Sequence, residues 1–119
     1  YLPFQGDIHS DHRITFEASL GCTKQFRYPS VRRVLMYETL SESPMTAASS
    51  GPIFSPNLFV DITPYLEKKI GIMKSYRSEM GEHPFPRSVE GLRALATLRG
   101  AATGVTAAES FVLVKEVIL

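Results

Sequence analysis

The fold class is indicated first by the stretch VRRVLMY, residues 31–37. Its residues Val34, Leu35 and Met36 are consecutive apolar side chains, a pattern typical of a strand that is buried on both faces. A Tyr-Pro-Ser sequence at 28–30 separates this stretch from the segment before it. We therefore predict a largely buried strand over residues 31–37.

The segment before this strand predicts a helix. Residues 11–26 mix apolar and polar side chains without an internal proline. Ser10 or Asp11 is suited to be the N-cap, because a side-chain oxygen at that position accepts a hydrogen bond from a backbone N–H of the first turn. We expect no ordered element ahead of this helix.

Helix and strand patterns continue to alternate after the strand. Residues 57–62 (NLFVDI) predict a short strand, and Thr63-Pro64 predicts the start of a helix that runs to about residue 80, with Thr63 as N-cap. A further helix is predicted over 89–102, ended by Gly104, and a last strand over 108–119. The alternation predicts one α/β domain over residues 1–119, with helices on the faces of a sheet.

The longest segment without a helix or strand pattern covers residues 40–56 (LSESPMTAASSGPIFSP). It contains three prolines and five serines, which is the composition of a loop. Loops of this length in compact domains are often lids or binding loops. The composition is equally compatible with a simple connection, so both interpretations stay open.

The overall charge and the cysteine content exclude several classes of protein. Thirteen basic against twelve acidic residues leave a net charge of +1, so no strong field attracts a nucleic acid or an anionic membrane. Cys22 is the only cysteine, which excludes an internal disulfide and is compatible with a reducing compartment. No apolar run approaches the ~20 residues of a membrane span. We therefore expect a cytoplasmic protein that does not bind nucleic acid or span a membrane.

The stretch GDIHSDH, residues 6–12, carries the most distinctive chemistry. It places His9 and His12, two of three histidines, beside the carboxylates of Asp7 and Asp11. Imidazole and carboxylate groups are ligands that zinc accepts. A carboxylate such as that of Asp11 can orient a neighbouring imidazole, which can then stabilise an oxyanion or donate a proton.

Two other interpretations of this stretch are possible. A polar turn with a capping aspartate explains the same residues without any chemistry. The His-x-His-x-Asp-His pattern of metallo-β-lactamase-type hydrolases is the second, but Asp7 stands at its first histidine position, and only His83 remains downstream. That second interpretation lacks two of its histidines.

The stretch from Gly6 to His12 resembles a signature of the LmbE-like, or PIG-L, zinc-dependent deacetylases, which remove the acetyl group from N-acetylglucosamine-type sugars. Further blocks resemble this family in the expected order along nearly the whole chain. These blocks are VLMYET (34–39), PNLFVDIT (56–63), KKIGIMKSYRSEM (68–80), HPFPRSVEGLRALATLRG (83–100) and AAESF (107–111).

The resemblance implies a role for each residue of the motif. It implies that His12 is a zinc ligand, that His9 stabilises the tetrahedral intermediate or acts as general acid, and that Asp11 supports His9. It also implies that Tyr37 and Glu38 lie near the substrate. Asp7 could hydrogen-bond a sugar hydroxyl. Independently of the family, Asp7 can equally bond the backbone of its own turn, and Tyr37 can be buried for structural reasons.

One signature of the family has no counterpart in these residues. The Ala-His-Pro-Asp-Asp-Glu motif, which implies the other two zinc ligands and the general base, is absent, because His83-Pro84 continues as Phe-Pro. The chain thus resembles the C-terminal half of the family domain, which implies a partial Rossmann-like layered sheet. We expect this half to be inactive alone and to associate with the N-terminal segment of the same domain, or with further copies as a homo-oligomer.

Several polar residues of the second half have open roles. His83, Arg87 and Arg99 could form a polar cluster, although ordinary capping and ion pairing explain them as well. Glu109 is expected to be paired, with Arg99 or Arg87 as the partner. A non-catalytic structural or interaction domain is the alternative to a deacetylase.

Overall fold

The computed structural model describes residues 1–45 and 51–119 and has the α/β class that the sequence predicts. The helices and strands are β1 (Leu2–Pro3), α1 (Ser10–Gly21), β2 (Arg33–Tyr37), β3 (Leu58–Asp61), α2 (Leu66–Met73), α3 (Val89–Ala101) and β4 (Ala108–Glu116). Two short 3₁₀ helices cover Ser43–Met45 and Thr63–Tyr65. Within the described residues, the strands form a sheet in the order β1-β2-β4-β3.

The chain divides into two units, of which the first comprises Tyr1–Leu58 and Phe111–Leu119. Here β1 pairs parallel to β2, and β2 pairs antiparallel to β4. The core contains Phe4, Phe16 and Met36, and the ring of Phe54 meets that of Phe4 edge to face at 5.2 Å between centroids. The predicted strand is confirmed over the last five of its seven residues, and the middle three of these, Val34, Leu35 and Met36, are buried.

The expectation that nothing ordered precedes the histidine motif is wrong. Leu2 and Pro3 form β1, whose residues lie opposite Met36 and Tyr37 of β2. A strand of two residues is too short to show an alternating pattern. Its order comes from pairing with β2, which lies some thirty positions later in the chain.

Helix α1 differs from its prediction at both ends. The N-cap is His9, whose ring accepts a hydrogen bond from the backbone N–H of Asp11, and not Ser10 or Asp11. The helix ends at Gly21 instead of residue 26. The N–H groups of Cys22 and Thr23 bond to carbonyls three residues back. The α-helix therefore ends in a tighter turn of the 3₁₀ type.

The second unit comprises Phe59–Ser110, and its core contains Ile62, Ala96 and Ala107. The helix predicted from Thr63 to residue 80 is only partly correct, because α2 begins at Leu66 and ends at Met73. A 3₁₀ turn, Thr63–Tyr65, precedes it, and the Thr63 hydroxyl accepts the Ala107 N–H at 3.2 Å instead of capping α2. The Asp61 carboxylate accepts the Thr63 N–H at 2.8 Å. Hydrogen bonds from the Thr63 hydroxyl and backbone hold the pKa of the Asp61 carboxyl below its ordinary value.

Helix α3 agrees with its prediction to within one residue. Its N-cap is Ser88, which is fully buried and accepts the Gly91 N–H at 3.0 Å. After the helix, Gly104 adopts a φ of 78°, a conformation that glycine adopts at little cost. This turn lets the Val105 N–H bond back to the carbonyl of Gly100.

Replacing two helical glycines with alanine should change the free energy of unfolding in opposite directions. A Cβ on Gly100 would lie 2.6 Å from the backbone oxygen of Val105, whereas a Cβ on Gly71 would meet nothing within 4 Å. We expect Gly71→Ala to raise the free energy of unfolding by about 0.5–1 kcal/mol. Gly100→Ala is expected to lower it by roughly 2 kcal/mol, because backbone must move.

Urea unfolding followed by circular dichroism measures both changes. Each variant is the other's control, since both gain the same helix propensity and differ only in the space around the new methyl group. A stabilising Gly100→Ala would show that α3 does not lie this close to residues 105–107.

None of the helices in the described ranges combines the length and the apolar content of a membrane span.

Candidate functional site

The motif residues form a tight turn between β1 and α1. The Asp7 N–H bonds to the carbonyl of Phe4 at 3.2 Å. A side chain on Gly6 would place its Cβ 2.5 Å from the Pro52 oxygen, so the approach requires glycine. Arg13 donates from the first turn of the helix to the carbonyls of Asp7 and Ile8, at 2.8 and 2.7 Å. The turn is therefore held at both of its ends.

His12 is oriented by a buried carboxylate. Its Nδ1 lies 2.7 Å from Oδ2 of Asp7, whose side chain is completely buried, while the His12 side chain is 28% exposed. A carboxylate oxygen only accepts hydrogen bonds, so the shared proton lies on Nδ1. The Nε2 atom of the neutral ring then carries a free lone pair.

Ser43 completes the environment of this carboxylate. Its buried hydroxyl donates to Oδ1 of Asp7 and accepts the Thr39 N–H at 2.8 Å. Both carboxylate oxygens are therefore engaged inside the protein. The position of His12 depends on a residue 36 positions beyond Asp7.

His9 has the opposite arrangement of ring nitrogens. Its Nδ1 accepts the backbone N–H of Asp11 at 3.2 Å, so in the neutral ring the proton is on Nε2. The two imidazoles are stacked, with centroids 5.1 Å apart and planes inclined by 24°. Side by side, they offer one ring nitrogen that can accept and one N–H that can donate.

The predicted support of His9 by the carboxylate of Asp11 differs from what the structure contains. The link between the two residues is the backbone N–H of Asp11, and the carboxylate instead accepts from the Ser10 hydroxyl at 3.3 Å. The helix explains this arrangement. Asp11 lies in the first turn, where backbone N–H groups lack intrahelical partners, and His9 supplies the cap.

The predicted substrate contact of Asp7 also differs from the observed geometry. A side chain with no exposed area and with both oxygens engaged orients His12 rather than meeting a sugar hydroxyl. Tyr37 ends β2 opposite Pro3 and Phe111, with a partly exposed ring, and the half-buried Glu38 follows it. The substrate roles of Tyr37 and Glu38 stay predictions.

The polar residues of the second unit have local partners. Arg87 bonds the backbone oxygen of Glu79 at 2.8 Å and its carboxylate at 3.2 Å. Glu109 is paired, as predicted, but with Lys69 of α2 rather than with Arg87 or Arg99. The sequence could not indicate this partner, because it depends on how α2 packs beside the start of β4.

Ser43 is the site residue that sequence reasoning missed. It lies in the segment 40–56, for which a binding loop was one of two interpretations. Residues 46–50 of that segment lie outside the described residues. No local pattern distinguishes Ser43 from the other serines of the segment, so only its contact with Asp7 identifies it.

The fit of these residues to a metal can be tested on the donor groups. Among the described residues, no three His, Cys, Asp or Glu side chains are grouped so that they could hold a metal ion. A histidine whose Nδ1–H is held by a carboxylate does, however, match the usual environment of a single metal-binding imidazole. His12 thus fits the role of one ligand.

Comparison with known proteins identified no match. No family model matches the chain, and no curated protein matches it.

Proposed function

We propose that this chain carries the histidine half of a zinc-dependent N-deacetylase that acts on N-acetylglucosamine-type sugars or glycoconjugates. The observation that supports the proposal is the complementary pair of imidazoles. His12 carries a lone pair on Nε2 and His9 carries a proton on Nε2, and the two rings stack with centroids 5.1 Å apart. Amide hydrolysis on a metal needs a nitrogen that binds the metal, as Nε2 of His12 can, and an N–H that stabilises the oxyanion, as that of His9 can.

Each residue has a defined task in this proposal. His12 holds the metal through Nε2, and Asp7 together with Ser43 fixes the ring. Bound zinc supplies Lewis-acid polarisation and lowers the pKa of water. His9 would donate its Nε2–H as a hydrogen bond to the oxygen on which charge develops at the acetyl carbonyl. The proton that the leaving amine needs would be the one that the general base removes from the water.

The remaining groups come, in this proposal, from outside the 119 residues. A segment with a His-Pro-Asp-Asp sequence supplies the other two ligands and the general base. With it, the sheet becomes the layered Rossmann-like sheet of the LmbE-like family. β1 and β3 are the edge strands of the described sheet, so an added segment or a further copy in a homo-oligomer has an edge with which to pair.

The test compares the chain as given with an extended protein, meaning the same chain joined to a His-Pro-Asp-Asp segment encoded upstream in its own gene. We expect stoichiometric zinc by elemental analysis, and acetate release from N-acetylglucosamine, only in the extended protein. The chain as given should bind zinc weakly, because a single imidazole is available.

Either of two results would contradict the proposal. If the extended protein contains no zinc and releases no acetate, or if no such upstream segment is encoded, GDIHSDH is a structural turn. The chain is then a structural or interaction domain.

A further inference from the structure

The second unit contains a cavity that the proposed deacetylation does not use. Its volume is about 370 Å³, within the range of small-molecule sites. Residues of helix α2 and of the segments beside it line the cavity: Ile62, Tyr65, Lys68, Lys69, Ile72, Met73 and Glu109.

The wall of this cavity is mainly apolar. Ile62 is buried, whereas Tyr65 and Ile72 are 61% and 53% exposed. Large apolar side chains that stay exposed around a concavity are typical of a binding site. An occupant with an apolar body would remove this surface from water.

The charges at the cavity favour a negatively charged occupant. Lys69 and Glu109 form an ion pair and neutralise each other. Lys68 has no ion-pair partner among the residues that the structure describes. The lining therefore carries one uncompensated positive charge beside its apolar surface.

We propose that this cavity binds a free medium-chain fatty carboxylate. The acyl chain lies against Ile62, Ile72 and Met73, and the carboxylate lies beside the ammonium group of Lys68. Charge complementarity selects the anion, and the extent of the apolar lining limits the length of acyl chain that the site covers. The proposal is independent of the histidine site, whose residues belong to the other unit.

The test is an NMR titration of the ¹⁵N-labelled chain as given, with octanoate below its micelle concentration. We expect saturable shifts of the amides of Ile62, Glu109 and residues 65–73. Octylammonium, which has the same chain and the opposite charge, should bind roughly threefold or more weakly. Hexanoate should bind roughly two- to fourfold more weakly for each methylene removed.

Two lysine variants provide the matched comparison. Lys68→Gln removes the charge at the cavity and should abolish the preference for octanoate over octylammonium. Lys74→Gln removes a charge from the end of the same helix, outside the cavity lining, and should leave the preference unchanged.

The proposal is overturned if octanoate causes no saturable shift, or if octylammonium binds equally well. It is also overturned if Lys68→Gln and Lys74→Gln behave alike. Amide shifts that depend on protein concentration without octanoate would identify a second copy as the occupant and would equally overturn it.

Discussion

His9→Asn in the extended protein is expected to leave zinc bound and to reduce deacetylation by roughly 10²–10⁴-fold, whereas His12→Gln is expected to remove the zinc itself. The magnitude for His9 is that of a lost general acid or oxyanion donor. Asparagine is an efficient N-cap, so it preserves the start of α1 while removing the ring N–H. Glutamine at position 12 retains an amide that can bond to Asp7.

The third histidine supplies the control for this pair. His83 is exposed in the second unit, and His83→Gln should change neither zinc content nor acetate release. Elemental analysis and an acetate assay on the same preparations separate metal loss from loss of chemistry. If His12→Gln retained as much zinc as His83→Gln, His12 would not be a ligand, and the assignment of the two imidazoles would be wrong.

The second large effect is expected at Asp7. Asp7→Ala leaves the Ser43 hydroxyl and the His12 Nδ1–H without their buried acceptor. Loss of a fully buried, hydrogen-bonded carboxylate should lower the free energy of unfolding by about 3 kcal/mol. Urea unfolding of the chain as given measures this change in the free energy of unfolding. Asp11→Ala, at an exposed carboxylate in the same motif, should cost less than about 1 kcal/mol.

Asp7→Asn separates orientation from stability. An asparagine amide can donate to Nδ1 of His12, and the ring proton then moves to Nε2, where it blocks the lone pair that a metal needs. We expect two-bond ¹H–¹⁵N NMR spectra to show the Nδ1–H tautomer of neutral His12 in the chain and the Nε2–H tautomer in the variant. Zinc affinity of the extended protein should fall roughly 10- to 100-fold.

Two results would contradict this role of Asp7. One is an Asp7→Ala variant as stable as Asp11→Ala, because a buried acceptor cannot be lost without cost. The other is an unchanged His12 tautomer in Asp7→Asn, which would mean that Asp7 does not determine the proton position.

Local sequence patterns predicted the elements whose residues carry the signal themselves. Val34, Leu35 and Met36 are buried in β2, because consecutive apolar residues need cover on both faces. Ser88 caps α3 as a serine at a helix start is expected to do. The motif residues are close to one another because the stretch from Gly6 to His12 contains only seven residues, so their proximity required no knowledge of the fold.

The errors occur where a hydrogen bond replaced the expected cap. His9 caps α1 because its ring nitrogen reaches the Asp11 N–H, a role that residue preferences assign to serine or aspartate. At Thr63, the hydroxyl that was expected to cap the helix instead accepts the Ala107 N–H at 3.2 Å. Residue preferences predict neither case, because the first involves an unusual capping side chain and the second a donor 44 positions away in the chain.

The sequence by itself determined the α/β class, the main strand, helix α3 and the set of groups that carry any chemistry of the motif. Only the tertiary structure decided which nitrogen of each histidine is free, that Ser43 completes the environment of Asp7, and that Lys69 rather than an arginine pairs with Glu109. The physical reason is the range of each contact. Periodicity and capping act within one or two turns, whereas a buried carboxylate is satisfied by whichever donor the packing of distant segments brings to it.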